Sequence, residues 1–365
     1  MTMDDIKSKV RHGVRVMLVS ILAGANIATI LLLWTLCLST YLEPAIHPRL
    51  SQVGLLFPVF LGINLFFIFV WFIVSWRWLL LPILGIAVCW SYVRDYCPIN
   101  LGAEAPEASY TVLSFNVAGF LNDSETEFDG WKSLDYITSS GADIIFLQEC
   151  PSSGAVFSRL SHRMDSLGYC SKAEGGLCIL SKWSFCGKGR YIGGSMQGNG
   201  AFVCFANVDG DTIMLVNTHL QSNAISQEEK DEYGNAMERY DKNKMTASGR
   251  LLLSRLTRAA SKRAEQTDIL CELIKENEKY SMIVGGDMND TPISYTFQRI
   301  SRLLNNAFTE SGNGIGISFN RKGFPVRIDH IFTSKDLKTH GTYVDGEIRS
   351  SDHCPIVTRV YKSVK

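Results

Sequence analysis

Residues 281–290 read SMIVGGDMND, an apolar stretch that ends in two glycines, two carboxylates and an amide. A short apolar run bounded by Gly, Asn and Asp is typical of a buried strand that ends in a turn. Taken alone, the stretch predicts a strand over 281–287 and turn chemistry at Asp287, Asn289 and Asp290. Any further role for these side chains must be supported by the rest of the chain.

The first hundred residues contain long uncharged runs. Arg15 and Glu43 are separated by 27 residues without a charge, and so are Arg49 and Arg77. A bilayer core requires about 20 apolar residues in a helix, so each run is long enough to cross it. A third run, of 16 residues, ends before Arg94. The sequence therefore predicts a membrane region with three transmembrane helices. It covers residues 1–96, with helices at about 16–38, 53–75 and 78–94.

The basic residues of this region predict its orientation. Four of them precede the first predicted helix (Lys7, Lys9, Arg11 and Arg15), and Arg77 lies between the second and third. By the positive-inside rule, the N-terminus is expected in the cytoplasm. Three crossings then place the following domain outside the cytoplasm, whereas a re-entrant third segment would leave it inside. We therefore expect a multi-pass integral membrane protein, with the lipid bilayer as one partner.

Composition separates the two parts of the chain and narrows the function. Pro, Gly and acidic residues at 97–108 indicate a linker before a domain at 109–365. Residues 101–365 carry a net charge of −3, so they lack the basic surplus typical of nonspecific nucleic-acid binding. The ten cysteines form no CxxC pair, which counts against a zinc site.

From residue 109 onward, short apolar segments alternate with polar helical ones. The predicted strands are 111–117, 143–149, 177–182, 201–208, 211–219, 281–287, 327–333 and 355–361. The predicted helices are 129–140, 152–167, 245–279 and 294–304. Asp209-Gly210 predicts a hairpin turn. Hairpins mixed with helical crossovers indicate sheets that pack together and are covered by helices.

Polar side chains recur where the predicted strands end. They are Asn116, Glu149, His219, Asp287, Asn289, Asp329, Asp352 and His353. Each alone is more often a turn or surface residue, but strand ends converge at sheet edges, where ligands bind. Asp329 lies in an apolar frame, and because an unpaired buried carboxylate is costly, it needs a partner such as a histidine. The recurrence therefore predicts one polar site.

Six segments carry a resemblance to a known family. They are LSFNV (113–117), FLQE (146–149), NTHL (217–220), GGDMND (285–290), RIDHIF (327–332) and SDHCPI (351–356). In this order they resemble the motifs of the endonuclease/exonuclease/phosphatase superfamily, over about residues 109–362. The resemblance implies a four-layer α/β sandwich, with two packed mixed β-sheets flanked by helices. Here that sandwich would follow the helical transmembrane region.

The same resemblance implies phosphoester hydrolysis with Mg²⁺ or Mn²⁺ as the cofactor. Carried over by motif, Glu149 would be the main metal ligand, with Asn116 and Asp352 nearby. Carboxylate and amide oxygens are suitable ligands for Mg²⁺ on general grounds as well. The sequence contains no GxSxG motif, the pattern that would indicate a serine acting as a covalent nucleophile, so attack by water is expected.

The remaining roles implied by the resemblance concern the attacking water and the phosphate. Asp287 would orient or deprotonate the water, and Asn289 would hold the phosphate. His353 would stabilise the charged transition state, while Asp329 would fix the orientation of its ring. His219 would contact the phosphate or assist the leaving group. Asp290 is interpreted as a turn residue, and His330 as incidental to the site.

The leading hypothesis is a membrane-anchored, divalent-metal-dependent phosphoesterase that acts on phosphodiester or phosphomonoester bonds. Its substrate would be a lipid headgroup, a small phosphodiester or a nucleic acid. The alternatives are a membrane-anchored nuclease for DNA or RNA, and a non-catalytic binding module on the same fold. The charged stretch 221–263 predicts either a solvated helix with ion pairs or a rim that binds anionic substrate.

Overall fold

The computed structural model describes residues 3–102, 106–123, 128–193, 198–223, 242–321 and 324–362. The helices are α1 (Met3–Leu38), α2 (Phe57–Val74), α3 (Leu80–Val88), α4 (Trp90–Tyr96), α5 (Gly130–Ser139), α6 (Ala155–Ser166), α7 (Lys242–Glu276), α8 (Tyr295–Ser301) and α9 (Ala307–Ser311). The strands up to residue 219 are β1 (Tyr110–Asn116), β2 (Asn122–Asp123), β3 (Phe128–Asp129), β4 (Ile144–Gln148), β5 (Cys170–Glu174), β6 (Leu177–Ser181), β7 (Phe185–Ile192), β8 (Gly200–Val208) and β9 (Asp211–His219). The later strands are β10 (Ser281–Asp287), β11 (Asn305–Asn306), β12 (Phe319–Arg321), β13 (Phe324–Val326), β14 (Asp329–Thr333), β15 (Leu337–Val344) and β16 (Ile356–Lys362).

Two mixed six-stranded sheets form the centre of the domain. The first has the order β15-β16-β1-β4-β6-β5, and the second has the order β11-β14-β10-β9-β8-β7. Each contains one parallel pair near its middle, β1 with β4 and β9 with β10, and the other neighbours are antiparallel. Because the strands of a parallel pair end at the same edge, the residues that follow them lie side by side.

Three apolar layers hold the sandwich together. Phe146 and Ile283 belong to the layer between the two sheets. Leu134 of α5 packs with the outer face of the first sheet, and Leu270 of α7 and Phe297 of α8 pack with that of the second. Burial of this apolar area is the main stabilising contribution to the fold. The predicted four-layer α/β sandwich is therefore confirmed.

The two glycines of the 281–290 stretch are required by close packing. A Cβ atom on Gly285 would lie 2.6 Å from the ring of Phe146, so a side chain there would push the two sheets apart. Gly286 has φ +142°, and a Cβ atom on it would lie 1.9 Å from the carbonyl oxygen of Thr218. The glycines thus let β10 approach both the facing sheet and its neighbour β9 before the chain reaches Asp287.

The eight strands and four helices predicted from the sequence are present, with ends shifted by a few residues. The predicted hairpin turn joins β8 to β9, with Asp209 and Gly210 at φ +52° and +96°. The sequence analysis did not predict β5, β7 or β15. These are edge strands with half-exposed side chains, so they lack the apolar runs that mark central strands. The acidic residues at 228–232 lie outside the described residues.

The N-terminal region is helical, as predicted. Within the described residues, two helical segments are long and apolar enough to cross a membrane, Met3–Tyr41 and Leu50–Val74. The third predicted span is instead a pair, α3 and α4, bent by 70°, so the count is three only if that pair is one span. Buried amides join the first two helices, since Asn26 Nδ2 donates to Asn64 Oδ1 at 3.1 Å. Such bonds are favourable between apolar helices.

The start of the predicted linker is packed onto the following domain. The Asn100 side chain donates to the Gly312 carbonyl at 2.6 Å. Just before it, the buried Arg327 guanidinium donates to the Asp95 carbonyl, and Gln298 donates to the Asp95 carboxylate at 2.8 Å. The N-terminal helical region and the sandwich are therefore joined by specific polar contacts.

Candidate functional site

The central strands of both sheets end at one cleft. Asn116 is the last residue of β1 and Glu149 follows β4, while His219 and Asp287 end the paired strands β9 and β10. Because the two sheets pack face to face, these four side chains meet although they come from distant parts of the chain. Glu149, His219 and Asp287 line a cavity of about 300 Å³, and Asn116 donates hydrogen bonds to Glu149 and Asp287.

The carboxylate of Asp287 is the centre of the arrangement. Its Oδ2 accepts a hydrogen bond from Asn116 Nδ2 at 3.1 Å and lies 3.6 Å from His353 Nε2 and 3.7 Å from His219 Nε2. Its Oδ1 accepts a hydrogen bond from the Asn289 backbone N–H at 2.8 Å. One carboxylate thus faces two imidazoles and is held in place at both oxygens.

Burial and charge set the protonation of this pair. Burial raises the pKa of the Asp287 carboxyl to about 6, although the nearby histidines oppose the rise. Burial would lower the pKa of His353, but the carboxylates of Asp329 and Asp287 outweigh it and raise the pKa to about 10. At neutral pH, His353 is therefore a buried cation beside an ionised Asp287.

Asp329 has the histidine partner that the sequence analysis expected. Its Oδ2 lies 2.8 Å from His353 Nδ1, and both side chains are buried. In this bond the Nδ1–H of the imidazole donates to the carboxylate. The Nε2–H is then free to interact with Asp287 or with a ligand. Phe319 also packs edge-on against the imidazole, with 5.0 Å between ring centroids. The ring is thus fixed from two directions.

Glu149 lies at the open side of the same cleft. Its side chain is 46% exposed, and its Oε1 accepts a hydrogen bond from Asn116 Nδ2 at 3.1 Å. Asp352 also lines the cleft. It is connected to Asn116 through Ser351, whose hydroxyl lies 3.5 Å from Asp352 Oδ1 and 2.8 Å from the Asn116 carbonyl oxygen. All eight residues predicted for the site therefore lie at or beside one cleft.

Two residues at this cleft have a strained backbone. Glu149 and Asn289 have φ +51° and +52°, in the left-handed region that residues with a Cβ atom seldom adopt. A conformation of this kind costs about 1 kcal/mol or more and persists where the surroundings enforce it. For Asn289 one such contact is the bond from its Nδ2 to the Leu220 carbonyl, at 3.0 Å.

Two sets of donors could hold a divalent cation. Asp287, Asp329 and His353 have ligand atoms within 4.8 Å of one another, but His353 is cationic and bound to Asp329, so it is a poor ligand as it stands. Glu149 and Asp352 instead offer carboxylate oxygens at the cleft, where a cation can keep part of its water shell. That donor set fits Mg²⁺ or Mn²⁺ better.

Sequence analysis missed a buried ion pair in the cleft wall. Arg263, from the basic half of the charged stretch 221–263, is only 1% exposed, and its Nε lies 3.5 Å from Asp290 Oδ2. Asp290 does have the predicted turn contact, accepting from the Thr291 backbone N–H at 3.2 Å. No local pattern distinguishes Arg263 from the exposed Arg258 and Lys262 on the same helix, because burial depends on what the helix packs against.

A second buried network lies between the two sheets. Gln148, in the FLQE segment, donates to Asn217 Oδ1 at 2.7 Å, and Asn217 Nδ2 donates to the Leu147 carbonyl at 2.8 Å. Both side chains are fully buried. Because each bond crosses from one sheet to the other, the network fixes the relative position of the strands that carry the site.

A family profile described as Endonuclease/Exonuclease/phosphatase family matches residues 113–353, which include all eight site residues. The chain belongs to this family. Members of the family are in general phosphoesterases or nucleases, that is, hydrolases, and typically use divalent metals. Residues 19–96 match a second profile, a domain of unknown function. No curated protein sequence gives a significant match.

Solved structures share the fold of the family domain. The D. rerio TDP2 complex with a single-strand DNA product is 15% identical, with a TM-score of 0.51, over 70% of this chain and all of that one. An endonuclease/exonuclease/phosphatase from Bacteroides vulgatus is 14% identical, with a TM-score of 0.50, over 70% of this chain and 100% of that one. The human Nocturnin catalytic domain with bound sulfate is 17% identical, with a TM-score of 0.48, over 72% and 96%. At these identities the likeness concerns the fold alone.

Proposed function

We propose that this protein is a membrane-anchored, divalent-metal-dependent phosphoesterase that hydrolyses its substrate by in-line attack of water. One observation carries the proposal: Asp287 Oδ2 faces two imidazoles, while Asn116 connects the same carboxylate to Glu149. The cleft thus combines a base, a buried cation and exposed carboxylates. Hydrolysis of an anionic ester requires these three functions together.

Asp287 is the proposed base. With a pKa near 6 it is ionised at neutral pH yet basic enough to take a proton from water. As the water oxygen bonds to phosphorus, its proton passes to Asp287, and the bond from phosphorus to the leaving oxygen breaks on the opposite side. The Asn289 backbone N–H and the Asn116 amide keep the carboxylate oriented for this transfer.

The two histidines are proposed to act on the phosphate. His353 remains protonated because Asp329 and Asp287 surround it, so it supplies a fixed positive charge where negative charge develops. His219 Nε2 is buried and has no hydrogen-bond partner among the described residues. It is therefore available to bind a phosphate oxygen or to protonate the leaving group. The Asn289 side chain is proposed to hold the phosphate.

Glu149, Asn116 and Asp352 are proposed to hold the metal ion. When bound, Mg²⁺ or Mn²⁺ would neutralise charge on the phosphate and so favour attack by water. The carboxylate of Glu149 is exposed and accepts a hydrogen bond from the Asn116 amide, which supports this assignment.

Anchoring in a membrane is proposed from α1, α2 and the bent pair α3–α4. The segment after α1 and the end of α4 both contact the family domain, through Pro44 and Asp95 respectively. Because both points contact the same domain, they lie on the same side of the membrane. After α1 and α2 have each crossed, the chain reaches that side again only if the bent pair crosses as well, which supports three crossings. With basic residues in the N-terminal part of α1, the N-terminus is proposed to be cytoplasmic and the family domain extracytoplasmic.

The full-length protein, purified in detergent, allows a direct test with bis-p-nitrophenyl phosphate and Mg²⁺. Turnover is expected, together with its loss in EDTA and its recovery with added Mg²⁺. Asp287→Asn and His353→Ala are each expected to reduce kcat by about 10²-fold or more. Asp211→Asn is the matched control, because Asp211 pairs with Lys362 on the exposed surface.

Two outcomes would favour the alternatives. Metal binding without turnover of any diester or monoester would indicate a binding module on the same fold. Efficient cleavage of DNA or RNA oligonucleotides, with no hydrolysis of other esters, would indicate a nuclease. The net charge of −3 on residues 101–365 counts against the nuclease, because nucleic-acid affinity depends largely on cationic side chains.

A further inference from the structure

The cleft is lined by apolar side chains as well as by its polar centre. Leu252 and Leu256 of α7 line it, and so do Val326 and Ile328 from the segment before β14. A phosphate and its metal ion need none of these contacts. The apolar side chains therefore indicate that the bound molecule has an apolar part next to its phosphoester.

The N-terminal region supplies part of the same wall. Gln52 and Leu55 line the cleft, and both belong to a short 3₁₀ helix, Leu50–Leu56, between α1 and α2. Leu55 is 40% exposed and precedes the first residue of α2 by two positions. The wall of the cleft thus continues directly into a helix that is apolar enough to cross a membrane.

Close packing holds this short helix against the family domain. Gly54 is buried, and a Cβ atom on it would lie 2.3 Å from the Ile293 carbonyl oxygen. Ile293 in turn belongs to one apolar cluster with Leu33 of α1 and Phe57 of α2. Nearby, Ser261 of α7 donates to the Pro44 carbonyl at 3.0 Å. The position of Leu55 in the cleft is therefore built into the fold.

The surface around this end of the cleft resembles a membrane interface. Leu50 and Leu56 of the short helix are exposed, as are Leu251 and Leu253 of α7. The neighbouring sequence positions include exposed cations, Arg49 beside Leu50 and Arg250 beside Leu251, with Arg258 two turns later on α7. Leucines mixed with basic residues beside a membrane-spanning helix are typical of a surface that contacts headgroups and acyl chains.

We propose that the substrate is a membrane lipid with a phosphoester in its headgroup. The phosphate lies beside the Asp287–His353 pair, and the acyl part leaves over Leu55 and Leu256 towards the bilayer. This inference rests on the proposed phosphoesterase function and names its substrate class. It also assigns Leu55 a role in specificity, although that residue lies outside the segment that matches the family profile.

The test compares substrates that share a headgroup and differ in their apolar part. The full-length protein in mixed micelles is assayed on phosphatidylcholine and sphingomyelin, and on glycerophosphocholine, which has the phosphodiester without acyl chains. The lipids are expected to have a kcat/KM at least about ten-fold higher, the scale set by burial of one or two leucine-sized groups. A phosphoinositide and a single-stranded oligonucleotide complete the panel.

Variants then test which side chains produce the preference for lipids over glycerophosphocholine. Leu55→Glu and Leu256→Glu are each expected to lower the ratio of lipid to glycerophosphocholine kcat/KM by about ten-fold, because a carboxylate repels both the acyl chain and the headgroup phosphate. Leu55→Ile, which keeps an apolar side chain of the same size, is expected to keep the wild-type ratio. Leu167→Glu, at an exposed leucine at the end of α6, is the matched control. A variant that merely misfolds lowers both rates together and leaves the ratio unchanged.

The two levels of the proposal fail in different ways. If neither lipids nor soluble esters are hydrolysed, the proposed function is wrong. If bis-p-nitrophenyl phosphate is hydrolysed but lipids are no better than glycerophosphocholine, the lipid inference is wrong and the function stands. The same holds if Leu55→Glu keeps the wild-type rate on glycerophosphocholine and leaves the ratio unchanged. Faster cleavage of the oligonucleotide than of any lipid would also overturn the inference.

Discussion

Asp287 Oδ2 lies 3.6 Å from Nε2 of His353, and both side chains are buried. Burial raises the pKa of the carboxyl, whereas the carboxylates around the imidazole raise the pKa of the histidine despite its burial. The two groups therefore keep opposite charges over a wide range of pH. This pair leads to the first two predictions.

Activity is expected to depend on pH through both groups. The base must be ionised, so kcat/KM should rise as the pH passes the pKa of Asp287, which is about 6. A cation bound nearby would favour the ionised carboxylate and so lower the pKa of Asp287 from this value, which places the acid limb at pH 6 or below. The imidazole must stay protonated, so activity should fall near its pKa of about 10. A profile of kcat/KM on bis-p-nitrophenyl phosphate from pH 4.5 to 10.5 measures both limbs, and an acid limb above pH 7 would contradict the assignment of the base.

Asp329→Asn is expected to move the alkaline limb and to lower kcat. Asp329 contributes most to the raised pKa of His353, so without its charge the imidazole loses its proton at lower pH. Asn keeps the size of the side chain and can still bond Nδ1, which limits the loss of ring orientation. The same pH profile detects the shift, with Asp211→Asn as the control. An unchanged alkaline limb would show that His353 is not the group that titrates there.

Gly286→Ala is expected to destabilise the fold. Its Cβ atom would lie 1.9 Å from the Thr218 carbonyl, and the residue has φ +142°. Backbone strain and overpacking of this kind each cost about 1–3 kcal/mol. Gly346→Ala is the control, since nothing lies within 4 Å of the Cβ position there and no unusual φ is involved. Thermal unfolding in detergent compares the two, and equal transition temperatures would refute the packing argument.

His330→Phe is expected to reduce acid sensitivity. Burial, aided by the nearby Arg327 cation, lowers the pKa of His330 in the folded protein to about 3, from its ordinary value of 6.5. Between these values the unfolded chain binds a proton that the folded protein does not, so acid lowers the free energy of unfolding by about 1.4 kcal/mol per pH unit. Phe cannot titrate and can keep the edge-on contact with Phe297.

Denaturant unfolding at pH 7 and pH 4.5 measures that difference. The free energy of unfolding of the wild type is expected to fall by about 2–3 kcal/mol more than that of His330→Phe over this interval. The hydrogen bond from His330 Nε2 to the Asp290 carbonyl is lost at both pH values and cancels in the comparison. His162→Phe, on the exposed side of α6, serves as the control. Equal losses in the wild type and His330→Phe would show that His330 is not the proton acceptor.

Much of the site could be predicted because it lies at the ends of central strands. In β10, for example, the half-buried Ser281 and three buried apolar residues precede the glycines, and the polar residues follow at once. That order is local and can be read directly from the chain. The bend between α3 and α4 could not be predicted in the same way, because an uncharged run shows that a segment is apolar and not where it bends.

The sequence by itself determined the central strands, the apolar helices and the polar residue types at each strand end, because periodicity and turn chemistry act over a few neighbouring residues. Only the tertiary structure decided that Gly285 faces Phe146 and that Arg263 is buried beside Asp290. It also decided that Leu55 completes the cleft. These contacts join segments far apart in the chain, and they depend on which surfaces pack together, which no local pattern encodes.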